Sequence, residues 1–185
     1  MGNVIVVYKS KYGSTKKYAQ WLAEELSCDL VESKKITVDK LLNYDTIIYG
    51  GGLYAGGVSG INLITKNFDK LSNKKLILFT CGLADTTNKE NIDSIKNSVN
   101  KILSKEMQDK IKVFHLRGGI DYKKLNFVHR AMMKMMYNML CKKDPKTLKQ
   151  DDKDLIATYG GIVDFTDKST IKPIIEYVKA KVWFV

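Results

Sequence analysis

Hydroxyl side chains crowd the segment that follows the first apolar run of the sequence. Residues 4–8 are apolar and mostly β-branched, and Ser10, Ser14 and Thr15 come soon after them. Since a helical pattern begins at Thr15, free backbone N–H groups and the positive end of a helix dipole should lie beside these hydroxyls. Such donors can bind a phosphate, and Gly13 permits a tight turn or a close approach of the ligand. The alternative is an ordinary strand-to-helix turn in which Ser14 caps the helix.

The spacing within this segment excludes two common nucleotide-binding loops. Residues 10–15 have neither the Gly-x-x-x-x-Gly-Lys-Ser/Thr pattern of a Walker A loop nor the Gly-x-Gly-x-x-Gly pattern of a dinucleotide-binding loop. A loop rich in hydroxyl groups suits a terminal phosphate monoester that is surrounded on every side. The segment therefore predicts a phosphate site that requires neither a metal ion nor a dedicated lysine.

Short apolar runs alternate with amphipathic stretches along the chain. The predicted strands are residues 4–8, 29–33, 46–50, 75–80 and 112–116. The predicted helices are residues 15–26, 38–42, 60–71, 91–105 and about 170–180, the last with Ser169 as its cap and Pro173 in its first turn. This alternation predicts an α/β fold with a doubly wound, five-stranded parallel sheet and helices on both faces. We expect a single domain over residues 1–185, with a helical insertion at about residues 122–161 after the fifth strand.

Three further loops should lie beside the hydroxyl segment, because ligands of doubly wound sheets bind outside the carboxyl ends of the strands. Residues 50–57 are rich in glycine, so backbone can lie flat against a ligand while Leu53 or Tyr54 covers an aromatic ring. Residues 80–85 follow the fourth strand, and residues 117–121 follow the fifth. A phosphate site beside a planar slot lined by backbone predicts flavin mononucleotide (FMN) as the cofactor. The flavin would carry the redox chemistry, so no catalytic side chain is expected.

These loops resemble those of a known family. Residues 4–15 resemble the phosphate loop of flavodoxin-like FMN proteins, and the glycine-rich second loop fits the same family. Residues 113–122 then lead into a basic, methionine-rich helix at residues 127–143, which resembles the menaquinone-dependent protoporphyrinogen oxidase branch. That resemblance implies an oxidoreductase of heme biosynthesis, which passes electrons from its substrate through FMN to a quinone.

The resemblance also assigns residues to the cofactor by position. Those implied for the phosphate are Ser10, Lys11, Tyr12, Gly13, Ser14 and Thr15. Those implied for the isoalloxazine ring are Gly52, Leu53, Tyr54, Ala55 and Gly56 from one loop, Thr80, Cys81, Gly82 and Leu83 from the next, and Gly118 and Gly119. Among these, Cys81 is interpreted as a packing residue rather than a redox thiol. His129 is a candidate for contact with the substrate.

Basic charge is concentrated in the predicted insertion. The chain has a net charge of +11, and residues 122–150 contain eight basic residues against Asp144 alone. Five of the seven methionines lie between Met132 and Met139. The apolar face of such a helix suits an anionic membrane surface, a quinone or a porphyrin. The alternative is that this face packs on the domain core and the lysines are solvated.

The composition sets the expected location and partners. No apolar stretch approaches the ~20 residues that span a bilayer, and the sequence shows no leader pattern. The three cysteines and two histidines are too few and too scattered for a disulfide framework or a metal site. We expect a cytoplasmic protein with peripheral contact at the inner face of the membrane through residues 122–150. Its partners would be a small-molecule substrate or a redox protein, and not nucleic acid.

Two other functions stay open at this point. An electron carrier of the flavodoxin type would dock only with protein partners, but such carriers are typically acidic and usually have an aromatic residue on each ring loop. Here the chain is basic, and Tyr54 is the aromatic residue of one loop only. The other function is a regulatory domain that binds a phosphate or a nucleotide without redox chemistry.

Overall fold

A five-stranded parallel sheet forms the centre of the protein in the computed structural model, which describes residues 2–54 and 56–180. The strands along the chain are β1 (Val4–Lys9), β2 (Asp29–Glu32), β3 (Thr46–Tyr54), β4 (Gly57–Val58), β5 (Lys75–Gly82), β6 (Ile111–Arg117), β7 (Gly119–Asp121) and β8 (Ile162–Asp164). Strands β2, β1, β3, β5 and β6 lie side by side in that order and are parallel, while β4 pairs antiparallel with the end of β3. The predicted doubly wound sheet is confirmed.

Helices cover both faces of this sheet, and further helices lie in the segment between β7 and β8. They are α1 (Ser14–Leu26), α2 (Val38–Leu41), α3 (Asn62–Thr65), α4 (Phe68–Leu71), α5 (Lys89–Asn100), α6 (Lys105–Lys110), α7 (Phe127–Cys141), α8 (Gln150–Thr158) and α9 (Lys172–Lys179). Helices α1 and α9 pack against Val6 and Phe79, whereas α2 to α6 pack against Val7 and Leu78 on the other face. Both faces of each inner strand are therefore buried, which explains why the strands are continuous apolar runs. Within the described residues, no helix has the length and hydrophobicity that crossing a bilayer requires.

The chain reverses its direction of travel across the sheet between β1 and β3. From β1 it moves outward to β2, returns past β1 to form β3, and continues to β5 and β6 on the other side. The loops after β1 and β3 therefore diverge, which opens a crevice at the carboxyl ends of these strands. The hydroxyl segment and the glycine-rich loop both lie at this crevice.

Two predicted helices are interrupted by polar side chains. The predicted helix at residues 60–71 is two short helices, because Asn67 has φ of −120° and lies outside the helical conformation. The predicted helix at residues 91–105 ends before Ser104, whose Oγ accepts a hydrogen bond from the backbone N–H of Met107 and caps α6. Local bonds of this kind compete with the helix, although the apolar pattern continues past them.

The last predicted helix, residues 170–180, also begins differently. A 3-10 turn at Lys168–Ile171 precedes α9, and its N-terminus is capped by Asp167, whose carboxylate accepts a hydrogen bond from the N–H of Ser169. Ser169 is therefore not the cap. Pro173 lies in the first turn of α9, as predicted.

An antiparallel strand pair, β7 and β8, holds together the two ends of the segment that contains α7 and α8. Asp121 pairs with Ile162, so the segment leaves and rejoins the sheet region at one place. Helices α7 and α8 pack on each other, and the rings of Tyr137 and Tyr159 stack with centroids 4.0 Å apart. The sequence did not indicate this pair, because strands of three residues leave no periodic pattern. It also placed the end of α7 at residue 143, whereas α7 ends at Cys141.

An ion pair at the protein surface joins this region to α1. Lys17 Nζ lies 2.9 Å from Asp164 Oδ2 and 2.7 Å from Thr166 Oγ1. Burial opposes the charge of Asp164, but the hydrogen bonds from Lys17 and Thr166 outweigh it and hold the pKa of the carboxyl at about 2. The helix that follows the hydroxyl segment is thereby fixed to the base of the insertion.

Candidate functional site

A pocket of about 180 Å³ lies at the carboxyl ends of the sheet strands, where the sequence predicts the site. The loops after β1, β3, β5 and β6 form its floor, and α7 with the residues before it forms its roof. Nine of the residues assigned to the cofactor line it, namely Tyr12, Ser14, Leu53, Tyr54, Cys81, Gly82, Leu83, Gly118 and Gly119. Loops that are far apart in the sequence thus meet at one place.

The hydroxyl segment forms an open anion cradle at the start of α1. Gly13 precedes the helix with φ of +106°, a conformation that glycine adopts without strain, and no side chain caps the helix from this position. Ser10 Oγ accepts a hydrogen bond from the N–H of Gly13 at 3.1 Å, and Ser14 Oγ accepts one from the N–H of Gly119 at 3.1 Å. Each hydroxyl accepts from backbone and so keeps its own O–H free to donate to an anion.

The geometry at the start of α1 excludes one of the two interpretations of the segment. Ser14 is the first residue inside α1 and does not cap it, so the ordinary capped turn is wrong. The first-turn N–H groups at Ser14 and Thr15 receive no side-chain acceptor from the cap position. A phosphate would supply that acceptor and would meet the positive end of the helix dipole.

Other residues assigned to the phosphate lie around this cradle. Thr15 is buried and does not line the pocket. Lys11 is exposed, with its ammonium 5.6 Å from the centroid of the Tyr12 ring. Lys11 therefore contributes a positive charge at the rim.

The loop after β3 brings side chains rather than flat backbone to the pocket. A Cβ atom on Gly52 would lie 2.7 Å from the ring of Tyr54, so this glycine makes room for that ring. Leu53 contacts the neighbouring strand end at Gly82. Gly56 has φ of +80° in the turn that follows, and Ala55 lies outside the described residues.

The loop after β6 closes tightly over the strand ends. The N–H of Gly118 donates to the carbonyl of Gly82 at 2.6 Å. A Cβ atom on Gly118 would lie 2.8 Å from Cys81 Sγ and 3.2 Å from Ser14 Cβ, so only glycine fits here. Gly118 thus allows the loop after β6 to reach the anion cradle, where the N–H of Gly119 donates a hydrogen bond to Ser14 Oγ.

Two of the assigned side chains point into the structure. Thr80 is fully buried, and its Oγ1 lies 2.7 Å from Nδ1 of His115 on the neighbouring strand. Burial raises the pKa of the Cys81 thiol to about 12, so this cysteine is protonated at neutral pH and is not a nucleophile. Thr80 thus supports the floor of the pocket from below, and Cys81 forms part of that floor.

A cluster of three rings joins the floor to the roof. Tyr12 Oη lies 2.7 Å from Nδ1 of His129, which projects from α7. His129 stacks on Tyr54 with centroids 5.3 Å apart, and Tyr12 meets Tyr54 edge-on at 5.8 Å. Burial raises the pKa of Tyr54 to about 12, so its hydroxyl is neutral. The sequence indicated His129 as a candidate for substrate contact but did not predict its bond to Tyr12 in the first loop. The only signal for that bond was a lone histidine on an apolar helix.

The roof of the pocket is apolar. Leu125, Met132 and Met133 line it beside His129, and Asn126 caps α7 by accepting a hydrogen bond from the N–H of His129 at 2.8 Å. The cap fixes the start of α7 above the pocket. Methionine side chains adapt to irregular ligand shapes, so this roof suits a large apolar ligand.

A second cavity of about 270 Å³ lies beside the pocket and shares Leu83 and Ile120 with it. Arg117 Nη1 lies 3.3 Å from Oδ2 of Asp85, and Arg117 Cζ lies 3.8 Å from the centroid of the Phe165 ring. Arg117 is thus held by an ion pair and a stacked ring at the end of β6. Within residues 2–54 and 56–180, no group of three or more His, Cys, Asp or Glu side chains is placed to hold a metal ion.

The comparison with known proteins agrees with this architecture. A family model described as the flavodoxin domain matches residues 5–148, which is most of the chain. The protein belongs to the flavodoxin domain family. An uncharacterized protein of Methanocaldococcus jannaschii is 33% identical over 127 residues, which cover 63% of this chain and 83% of that protein.

Solved flavoprotein structures are also similar to parts of this chain. A putative flavoprotein from Bacteroides eggerthii has 16% identity and a TM-score of 0.46, with 62% of this chain and 86% of that chain covered. A flavoprotein from Lactobacillus acidophilus, solved in complex with FMN, has 17% identity and a TM-score of 0.38, with 63% and 93% covered.

Membership of the flavodoxin family confirms FMN as the predicted cofactor and redox chemistry as the general function. The residues present fit this cofactor. The anion cradle at the start of α1 presents donors without an acceptor, as a phosphate requires, and the adjoining pocket has an apolar roof and a tyrosine ring at its edge. The protoporphyrinogen oxidase branch is a finer assignment than membership of the flavodoxin family.

Proposed function

We propose that the protein is an oxidoreductase of the protoporphyrinogen oxidase type, which oxidises a bound substrate and passes the electrons through FMN to a quinone. The observation that carries the proposal is the roof over the pocket. Helix α7 and the residues before it add Leu125, His129, Met132 and Met133 to a site that the sheet loops alone would leave open. A carrier that exchanges electrons by docking with proteins gains nothing from such a roof, whereas an enzyme needs one to bind a substrate.

The chain's own residues have separate roles in this function. Bound FMN supplies the electron-transfer chemistry, and the protein supplies binding, orientation and electrostatics. The hydroxyls of Ser10 and Ser14, with the N–H groups at the start of α1, would hold the phosphate. The glycine loops would border the isoalloxazine ring, and the neutral side chain of Tyr54 would lie at one edge of that ring. The apolar roof would exclude water from the substrate, which favours transfer of electrons in a low-dielectric site.

The character of the roof favours a large, flat or lipid-soluble substrate. Met132 and Met133 can repack around different shapes, as a macrocycle and a quinone would require. Basic residues such as Lys11, Lys123 and Lys124 are exposed in the segments that border the pocket, and they would attract the carboxylates of a porphyrin. These features support the proposal without identifying the substrate.

The decisive experiment is anaerobic turnover. The purified protein, with its flavin identified by absorbance and mass, is mixed with protoporphyrinogen and a soluble menaquinone analogue, and porphyrin fluorescence is followed. We expect quinone-dependent formation of protoporphyrin. A protein that retains FMN and accepts electrons from a reductase, yet never turns over the porphyrinogen, would instead be a flavodoxin-type carrier.

A variant pair tests the role of the roof. Met133→Ala shortens a half-buried side chain that lines the pocket, and Met107→Ala makes the same change in the opposite core. We expect Met133→Ala to raise KM several-fold at similar cost in stability, and Met107→Ala to leave KM unchanged. Equal kinetics in the two variants would argue against a roof that contacts substrate.

A further inference from the structure

Helix α7 leaves a row of large apolar side chains uncovered. Met135, Phe127 and Val128 are exposed by 70%, 87% and 59%, and Met132 and Met139 by 41% and 55%. Val128, Met132, Met135 and Met139 follow one another at spacings of three or four residues and so share one side of the helix. We call these four residues, with Phe127, the α7 stripe. Soluble monomers rarely leave such contiguous apolar surface uncovered.

The stripe is distinct from the inner face of the same helix. Met133, Met136 and Leu140 are buried or half-buried, because they face the pocket and α8. The alternative that the whole methionine-rich face packs on the core therefore holds for the inner side only. The stripe has a separate explanation.

Basic residues flank the stripe along the chain. Lys142 and Lys146 follow its C-terminal end and are exposed, and Lys123 and Lys124 precede its N-terminal end. Residues 122–150 contain one acidic residue, Asp144, and eight basic residues. An apolar row bordered by basic side chains is the pattern of a helix that lies in the interface of an anionic membrane.

We propose that the α7 stripe docks the protein on the surface of a bilayer that contains anionic lipids. The apolar side chains enter the boundary between headgroups and acyl chains, and the lysines contact the lipid phosphates. A second copy of the chain fits the stripe less well, since two such surfaces would bring their lysines together. An anionic bilayer satisfies both the apolar and the charged parts of the surface.

The stripe is continuous with the pocket. Met132 belongs to the stripe and also lines the pocket, so the pocket opens beside the docked surface. A lipid-soluble electron acceptor could then move from the bilayer to the pocket without crossing water. This last step rests on the proposed function, whereas the docking does not.

Co-sedimentation with vesicles tests the docking. The FMN-loaded protein is mixed with vesicles of phosphatidylcholine and phosphatidylglycerol, or of phosphatidylcholine alone. We expect binding to the mixed vesicles only, with loss of binding at high salt. The double change Met135→Glu and Met139→Glu should abolish binding, and it should leave the fold intact because both side chains are exposed.

A matched charge pair isolates the contribution of the lysines. Lys142→Glu with Lys146→Glu should weaken binding roughly tenfold or more. Lys101→Glu with Lys105→Glu makes the same change in net charge at the opposite end of the sheet, beside α6, and should weaken it far less. Equal effects of the two pairs would mean that net charge alone attracts the protein, and the proposed surface would be wrong.

Two further results would overturn the proposal. One is unchanged vesicle binding by the Met135→Glu, Met139→Glu variant. The other is a dimer that this variant disrupts, in a wild-type protein that binds no vesicles, which would make a second copy the occupant. Turnover with a soluble quinone analogue is measured without vesicles, so a failure of docking is distinguishable from a failure of the proposed function.

Discussion

Ser14 performs two tasks with a single oxygen. It accepts a hydrogen bond from the N–H of Gly119, and its own O–H stays available at the positive end of α1. Ser14→Ala should weaken FMN binding about tenfold or more, because a hydrogen bond to a charged group contributes about 1.5–3 kcal/mol. Fluorescence titration of the apoprotein measures the change. Ser94→Ala, on the exposed side of α5, is the control and should leave the affinity unaltered.

His115 gives the stability of the fold a pH dependence. Burial, with a smaller contribution from Lys96, lowers the pKa of His115 to about 4, whereas an unfolded histidine titrates near 6.5. Above the range between these two pKa values, His115 is neutral in both the folded and the unfolded state. As the pH falls through it, the unfolded chain binds the proton and the folded chain does not, so the free energy of unfolding decreases. The decrease should be about 1–3 kcal/mol after allowance for partial solvent exposure, and it should end near pH 4.

Urea unfolding at a series of pH values measures this dependence. His115→Asn retains an atom that can bond to Thr80 but does not titrate, so its stability should change less over the same range. Comparing slopes rather than absolute stabilities removes the cost of placing asparagine in a strand. Parallel slopes for the two proteins would show that other groups set the pH dependence.

At the scale of single residues, the sequence indicated positions only where the signal was local. The hydroxyls and glycine of residues 10–15 adjoin one another in the chain, and the structure places them at the start of α1. The bonds between Tyr12 and His129 and between Thr80 and His115 join residues that are far apart in the sequence. No spacing rule reports such contacts, since they depend on which strands and loops become neighbours.

Among the secondary-structure elements, α7 is held to the site mainly by the ring cluster at its start. His129 bonds to Tyr12 and stacks on Tyr54, so His129→Ala removes the main polar contact between α7 and the loop after β1. We expect faster backbone hydrogen exchange in α7, with little change in the central sheet. Met135→Ala lies on the exposed side of the same helix and is the control. Unchanged exchange in α7 would mean that packing against α8 positions it.

The strands were more predictable than the helices and the small elements. Five predicted runs became five parallel strands, and the inner ones were the clearest because burial on both faces makes them continuously apolar. The helix boundaries depended on single polar residues such as Asn67 and Ser104, which an apolar pattern does not reveal. The β7–β8 pair depends on contacts between two segments about forty residues apart, and its strands are too short to show alternation.

For the whole molecule, we predict one cooperative unfolding transition, as expected of a single domain. The two cores share the strands of one sheet, and the ion pair of Lys17 and Asp164 connects α1 to the insertion. Fluorescence and far-ultraviolet circular dichroism should therefore give coincident urea transitions, and added FMN should shift both to higher urea concentration. Two separate transitions, with only one sensitive to FMN, would identify the insertion as an independent unit.

The pairing of Asp121 with Ile162 has a consequence for engineering and for variation in length. Because the insertion departs and returns at adjacent positions, it can be exchanged without altering the path of any sheet strand. A two-residue Asn-Gly turn should bridge the gap, since that turn suits an antiparallel pair. We expect the shortened chain to fold and to retain FMN affinity while losing both the roof and the α7 stripe. Roofs of other shapes could be grafted at the same junction, which makes one cofactor-binding sheet a base for different substrates.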